Sequence, residues 1–310
     1  MAKTAVKISN LTKVFDDLVA VDKLSLSVPE GAIYGFLGPN GAGKTTTLKM
    51  VVGMTEPTSG EIEVYGNKLT FGSHKFREDI GFLPDVPGFY DWMTAKEYLK
   101  FAGSLYNIPN TVLKDRIRDL LQTVGLTKSQ NKKVGGFSRG MKQRLGIAQA
   151  LINNPKIVIL DEPVSALDPI GRKEVMDIIA SLAGKVTVFF SSHILADVER
   201  VCDHVIIIKD GRNMLEDSVE NIRNLSKSRE MEMEFENDEA KSFQDSIKNS
   251  GWVEKLDIEG KKAKIKVNDL DNARVEINKW ICQNNIMLKK YIVAEPTLED
   301  IFIKVVNGND

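Results

Sequence analysis

The sequence predicts an α/β chain: a largely parallel sheet covered by helices, with antiparallel edge strands and a helical insert, followed by a smaller α+β module. Three observations predict it. Apolar runs such as Ile157-Val158-Ile159-Leu160 alternate with helical periodicities between residues 33 and 208. The run Ile33-Tyr34-Gly35-Phe36-Leu37 enters the glycine-rich Gly38 to Thr46 and leaves through Thr47-Leu48-Lys49-Met50, which fits strand, loop, helix. From about residue 221 the pattern changes to short alternating strands and amphipathic helices in the order βαββαβ.

Composition narrows the class. At 310 residues the chain has room for two domains, and its 42% hydrophobic and 27% charged content is that of a globular protein. A net charge of −1, with both halves near neutral, provides no general attraction to nucleic acid or anionic lipid. No run approaches the roughly 20 apolar residues of a membrane-spanning helix. Cys202 and Cys282 are distant from each other and read as reduced cytosolic thiols.

In chain order, Val6-Lys7-Ile8 and Leu24-Ser25-Leu26-Ser27-Val28 alternate as half-exposed strands at a sheet edge. Between them Phe15 precedes a charged turn, as a small core anchor or as an aromatic for stacking on a base. Pro57-Thr58-Ser59-Gly60 turns into the strand Glu61 to Tyr65. Ile80 to Asp91, with two prolines and two glycines, reads as loop. Thr94 and Glu97 form a capping box for a helix to about Tyr106, and a second helix spans roughly Val112 to Val124. Ser138 caps a long helix that stops before Pro155. The strand 157–160, buried on both faces, ends in Asp161-Glu162-Pro163. A helix over Pro169 to Leu182, the strand Thr187 to Ser191, His193, a helix over Ala196 to Val201 and the strand Val205 to Ile208 complete the alternation. Asn224 to Arg229 reads as a linker. Met231, Met233 and Phe235 then alternate with Glu232, Glu234 and Glu236, as expected of a strand with one solvated acidic face. Pro296 to Asp300 opens a final amphipathic helix.

The segment Gly38-Pro39-Asn40-Gly41-Ala42-Gly43-Lys44-Thr45-Thr46 has the spacing G-x-x-x-x-G-K-[ST] of a phosphate-binding loop. Its glycines let backbone N–H groups approach phosphate oxygens, Lys44 supplies charge for the β- and γ-phosphates, and the Thr45 hydroxyl is placed for Mg²⁺. The helix opening there directs its positive dipole end at the same anion. A nucleoside triphosphate and Mg²⁺ are thus the expected ligands.

Taken together, the motifs resemble the ATP-binding cassette (ABC) family, over roughly residues 3 to 220. The discriminating segment is Phe137-Ser138-Arg139-Gly140-Met141 ahead of the Walker-B-like Ile157 to Asp161. The resemblance implies a P-loop NTPase core as a nucleotide-binding domain over 1–220. It leaves 221–310 as an accessory α+β domain, itself resembling a ferredoxin-like module with one added helix. It further implies that Asp161, with Thr45, holds Mg²⁺, that Glu162 orients or deprotonates the attacking water, and that His193 contacts the γ-phosphate. Phe15 becomes the adenine-stacking aromatic. Ser138, Arg139, Gly140 and Met141, with Asp168 of Ser165-Ala166-Leu167-Asp168, would serve the nucleotide of a second copy or a paralogue in a head-to-tail dimer. Three positions depart from the family pattern. Asp85 replaces the glutamine that in the family follows the strand Ile80 to Leu83 and would approach either Mg²⁺ or the attacking water, and the signature carries Arg139 and Met141 for glycine and glutamine.

The ending Glu295 to Phe302 (EPTLEDIF) resembles the drug-resistance exporter branch, whose ATPases pair with separate ABC-2-type permease subunits at the inner face of the cell membrane. The aromatics Phe89, Tyr90 and Trp92 would receive a helix of that subunit, or else pack internally. A soluble ABC-type ATPase acting on nucleic acid or ribosomes is the competing reading; it calls for tandem cassettes in one chain, a coiled-coil insertion or a basic face. A phosphoryl-transferring kinase is the third.

Overall fold

The structure, a computed structural model, describes residues 3–72, 78–225 and 230–293. Its contacts divide into a unit running to Glu220 and a second beginning at Asn221. In the first, β1 (Thr4–Phe15) and β2 (Leu18–Pro29) form a hairpin that turns at Asp16-Asp17. β3 (Ile33–Leu37), buried along its length, runs through the glycine loop into α1 (Lys44–Val51). β4 (Ser59–Val64) and β5 (Asn67–Lys68) extend the hairpin into a four-stranded sheet in the order β2-β1-β4-β5. β1 and β2 are twelve residues each, well beyond their alternating stretches, because each also pairs through bulges that interrupt the period.

The second sheet is built from non-local pairing. β6 (Ile80–Leu83) is followed by α2 (Ala95–Ser104), with the Thr94–Glu97 capping box formed, and α3 (Asn110–Thr123). The loop expected over 80–91 therefore starts only at Pro84, since Ile80 to Leu83 pair in parallel with a buried neighbour. Next come α4 (Arg139–Ala150), β7 (Ile157–Leu160), α5 (Pro169–Ser181), β8 (Thr187–Ser192), α6 (Leu195–Val201), β9 (His204–Lys209), β10 (Arg212–Ser218) and α7 (Val219–Leu225). The order is β10-β9-β3-β8-β7-β6, parallel except for β10 at one edge. The two sheets share a core in which Ile8, Leu24 and Ile62 pack with Phe36, Ile159, Phe189 and Leu48 of α1.

This order puts the C-terminal ends of β3, β8 and β7 side by side, where ligands gather in open α/β sheets.

The second unit holds β11 (Glu230–Phe235), α8 (Ala240–Ile247), β12 (Val253–Glu259), β13 (Lys262–Val267), α9 (Leu270–Gln283) and β14 (Leu288–Val293). The antiparallel sheet β12-β13-β11-β14 buries Met231, Met233 and Phe235 with Phe243, Ile265 and Ile277. On β11 the alternating glutamates stand opposite β13 lysines, with Glu232 against Lys264 and Glu234 against Lys262. That solvated ladder accounts for the acidic alternation. Of the stretch read as a linker, Asn224 and Leu225 belong to α7, and residues 226–229 lie outside the described residues. The helix expected after Pro296 lies outside the described residues.

One contact in the sheet is intolerant of any side chain. A Cβ on Gly81 of β6 would stand 1.8 Å from the carbonyl oxygen of Ala150 at the end of α4. Gly81→Ala should therefore force the strand and helix apart and destabilise the larger unit by about 3 kcal/mol, read from its denaturant midpoint; an unchanged midpoint would show that the helix yields freely.

Candidate functional site

Three sheet ends build one cleft. From β3 comes the glycine loop, in which Gly43 adopts φ +97 and N-caps α1 without any side-chain cap. A Cβ there would also strike the carbonyl of Ala20 at 2.5 Å, so both the turn and the approach of β2 demand glycine. The first N–H groups of α1 thus face the cleft with no side chain satisfying them, which is the electrostatics of an anion site.

Lys44 is almost fully buried, and its ammonium donates to the carbonyls of Gly38 at 2.7 Å and Pro39 at 3.2 Å. It also pairs with Glu162 Oε1 at 3.2 Å. Thr45 donates from Oγ1 to Asp161 Oδ1 at 3.1 Å. Pro39, Asn40 and Gly41 are exposed at the loop tip, Ala42 is buried beneath it, and Thr46 lines the cleft.

From β7 come the two carboxylates. Asp161 is 1% exposed and receives the Ser191 hydroxyl at 2.7 Å on the oxygen that Thr45 also reaches. Burial pushes the Asp161 carboxyl above its ordinary range; the two hydroxyls pull it down, and nearby Asp85 and Glu162 push it up further. Glu162 sits at φ +46, a left-handed conformation uncommon for a residue with a side chain. From β8 comes His193, whose Nδ1 lies 2.8 Å from Glu162 Oε2. Glu162 therefore spans Lys44 and His193 with its two oxygens.

The cleft measures about 670 Å³ and is lined by the loop, Asp85, Glu162, Ser165, His193 and Asp210, with Phe15, Leu18, Val19 and Ala20 at the hairpin end. Phe15 is 45% exposed, so it is not a core anchor, and Lys13 Nζ stands 4.8 Å from its ring centre. Asp85 Oδ1 is buried without a hydrogen-bond partner.

Ser138, Arg139, Gly140 and Asp168 lie elsewhere, around a groove of about 240 Å³ with Ala166, Leu167 and Gly171. Ser138 caps α4 by accepting the N–H of Met141 at 3.2 Å, and Asp168 caps α5 by accepting that of Gly171 at 3.2 Å. Sequence reading brings Lys44, Thr45, Asp161, Glu162 and His193 together as the structure does. It missed Ser191 and Asp210. A hydroxyl closing the apolar strand Val188-Phe189-Phe190 was the available signal for Ser191; Asp210 had none.

Comparison with known proteins follows the same lines. Residues 21–165 match the family described as ABC transporter, and residues 218–306 match the C-terminal domain of DrrA1-3-like ATP-binding proteins. The chain is 38% identical over 310 residues to the uncharacterized ABC transporter ATP-binding protein YxlF of Bacillus subtilis, covering 97% of this chain and 99% of that one. It is 38% identical to the bacitracin transport ATP-binding protein BcrA of Bacillus licheniformis, with 98% of each covered. A solved ATP-binding subunit of an ABC transporter superposes with a TM-score of 0.65 at 29% identity, over 72% of this chain and 93% of the other. The cassette MJ0796, a dimer in a post-hydrolysis state with ADP and Pi, superposes with a TM-score of 0.62 at 27% identity, over 69% and 98%.

The raised Asp161 carboxyl carries a stability consequence. A carboxyl whose folded pKa exceeds its unfolded value costs stability at any pH above the unfolded value, so at neutral pH the buried Asp161 carboxyl works against the fold. Asp161→Asn keeps an acceptor for Ser191 and Thr45 while removing that charge. The ligand-free variant should melt a few degrees higher, about 2–4 °C per kcal/mol for a unit of this size; a lower melting temperature would contradict burial as the dominant cause.

Proposed function

Because this chain belongs to the ABC transporter ATP-binding family, we propose that it is the ATP-hydrolysing subunit of a membrane exporter, paired with separate transmembrane subunits that its dimerisation on ATP drives. Family membership makes it an ATP-binding ATPase. The observation that carries the proposal is the uncapped start of α1 with Lys44, facing Glu162 and His193 across one cleft.

Lys44 is held by two loop carbonyls and Glu162; the β- and γ-phosphates are stronger partners and take it over. That exchange releases Glu162 Oε1 to hold the attacking water, while His193 keeps the other oxygen in place. Glu162 is the general base or water-orienting group, and charge building on the phosphoryl oxygens meets Lys44, the α1 N–H groups and His193. Phe15 at the cleft's lip offers a ring face to the base.

The residues also fit a divalent cation. Thr45 and Asp161 already touch, and the buried, unpartnered Asp85 Oδ1 has the character of a missing cationic neighbour. Among the described residues no three His, Cys, Asp or Glu side chains form a metal site by themselves, so phosphate oxygens would complete the shell. Thr45, Asp161 and Asp85 would hold Mg²⁺, which would neutralise charge on the β- and γ-phosphates.

A second chain supplies the rest. Ser138 accepts the Met141 N–H with one lone pair and keeps its own proton for a phosphate oxygen, and α4 opens beside it. With Arg139 exposed and Asp168 alongside, this groove is suited to the nucleotide held by a partner copy. Toward the membrane, Phe89 packs internally on Tyr98 at 5.0 Å between ring centres, whereas Tyr90 and the 66% exposed Trp92 form an outward aromatic pair. They are the anchors offered to the transmembrane subunit. No helix of the described residues is long and apolar enough to cross a membrane, so the span belongs to that subunit. The likeness to a bacitracin transport protein supports the exporter branch; the cassette itself does not touch cargo.

Glu162→Gln should still bind ATP, accumulate as a dimer on gel filtration with Mg²⁺-ATP, and lose at least about 10²-fold in turnover. Hydrolysis at the normal rate would remove Glu162 from its role. Affinity purification from membranes in mild detergent should bring down a multi-span protein, and Trp92→Ala should weaken its recovery. Tight retention of DNA or ribosomes at physiological salt, with no membrane protein, would overturn the transporter reading.

A further inference from the structure

We infer that Ser191 is a positioning residue for ATP hydrolysis, fixing Glu162 through its backbone while His193 fixes the same residue through its carboxylate. The inference rests on the role proposed for Glu162. Ser191 is fully buried in β8, next to Phe189 and Phe190, and it does not line the cleft, so any effect on chemistry passes through other residues.

A buried hydroxyl needs partners, and both of those it has are chemical groups of the site. Ser191 Oγ accepts the N–H of Glu162 at 2.8 Å and donates to Asp161 Oδ1 at 2.7 Å. Glu162 lies at the left-handed turn out of β7, a conformation that persists only where surrounding contacts hold it. The bond to its N–H is such a contact.

The same short segment then reaches Glu162 a second time. Ser192 Oγ accepts the N–H of Ile194 at 2.9 Å and shapes the turn that carries His193, whose Nδ1 meets Glu162 Oε2 at 2.8 Å. Residues 191 to 193 thus grip Glu162 at its backbone and at its carboxylate. Register adds stiffness, since β8 is hydrogen-bonded on both sides and Ser191 pairs with Phe36 of β3. Without the hydroxyl, the Glu162 N–H loses its acceptor, and once phosphate has drawn Lys44 away the side chain is held by His193 alone. Asp161 keeps Thr45 as its other hydroxyl partner.

The test uses the full chain with Mg²⁺-ATP. Ser191→Ala should lower kcat by about 10- to 100-fold, the scale of a misplaced reacting group, with KM for ATP within about 3-fold because the glycine loop is untouched. Ser191→Thr, which keeps the hydroxyl, should recover most of the loss. In a Glu162→Gln background Ser191→Ala should cost less than about 2-fold more, since its effect passes through Glu162. A Ser191→Ala kcat within 3-fold of the parent, a rise in KM accounting for the whole loss, or a full additive loss in the Glu162→Gln background would each overturn the inference. If Ser191→Thr melts early because its extra methyl does not fit, the double variant still decides. Normal turnover by Glu162→Gln would instead overturn the role of Glu162 itself.

Discussion

The larger unit is organised around a carboxylate that cannot be left alone. Glu162, at the end of a strand buried on both faces, sits beside Asp161 and near Asp85 in a region where unpaired charge is costly. Lys44 meets one of its oxygens and His193 the other. Each partner comes from a different strand end, so these contacts exist only if β3, β8 and β7 are adjacent and parallel. The sheet order is thereby tied to the charge balance of the site.

That arrangement also explains why the site is poised. Lys44 is satisfied by protein groups before any phosphate arrives, so the loop keeps its shape without ligand, as preorganised catalysis requires. In the proposed mechanism, phosphate binding exchanges these partners rather than ordering the loop. The price of the arrangement is borne by Asp161 and by the left-handed backbone at Glu162, both unfavourable in the ligand-free chain.

The second unit follows a different economy of charge. Its core is a single layer of apolar side chains between sheet and helices, and its open face is a ladder of glutamates opposite lysines, including Lys290 at 3.3 Å from Glu232. Exposed pairs of this kind contribute little stability each, but they keep a broad sheet face free of unpaired like charge. Nothing in that ladder resembles the buried, strained carboxylates of the first unit.

Much of this was legible in the residues because it is local. The strand, glycine loop and helix of 33–50, the Thr94–Glu97 box, the Ser138 cap and the order βαββαβ all depend on spacings within a few residues, which sequence displays directly. The candidate site was assembled from the same local motifs. What depends on pairing across long separations was not legible in spacing: that β1 and β2 extend into a sheet with β4, and that Ile80 to Leu83, indicated as a strand only by the family resemblance, pairs in parallel with β7. Ser191 belongs to this second class. In sequence it is one polar residue after an apolar run; only the parallel register of β7 and β8 brings its hydroxyl between Asp161 and the Glu162 N–H, because hydrogen bonds are decided by ångström-scale placement that spacing along the chain does not encode.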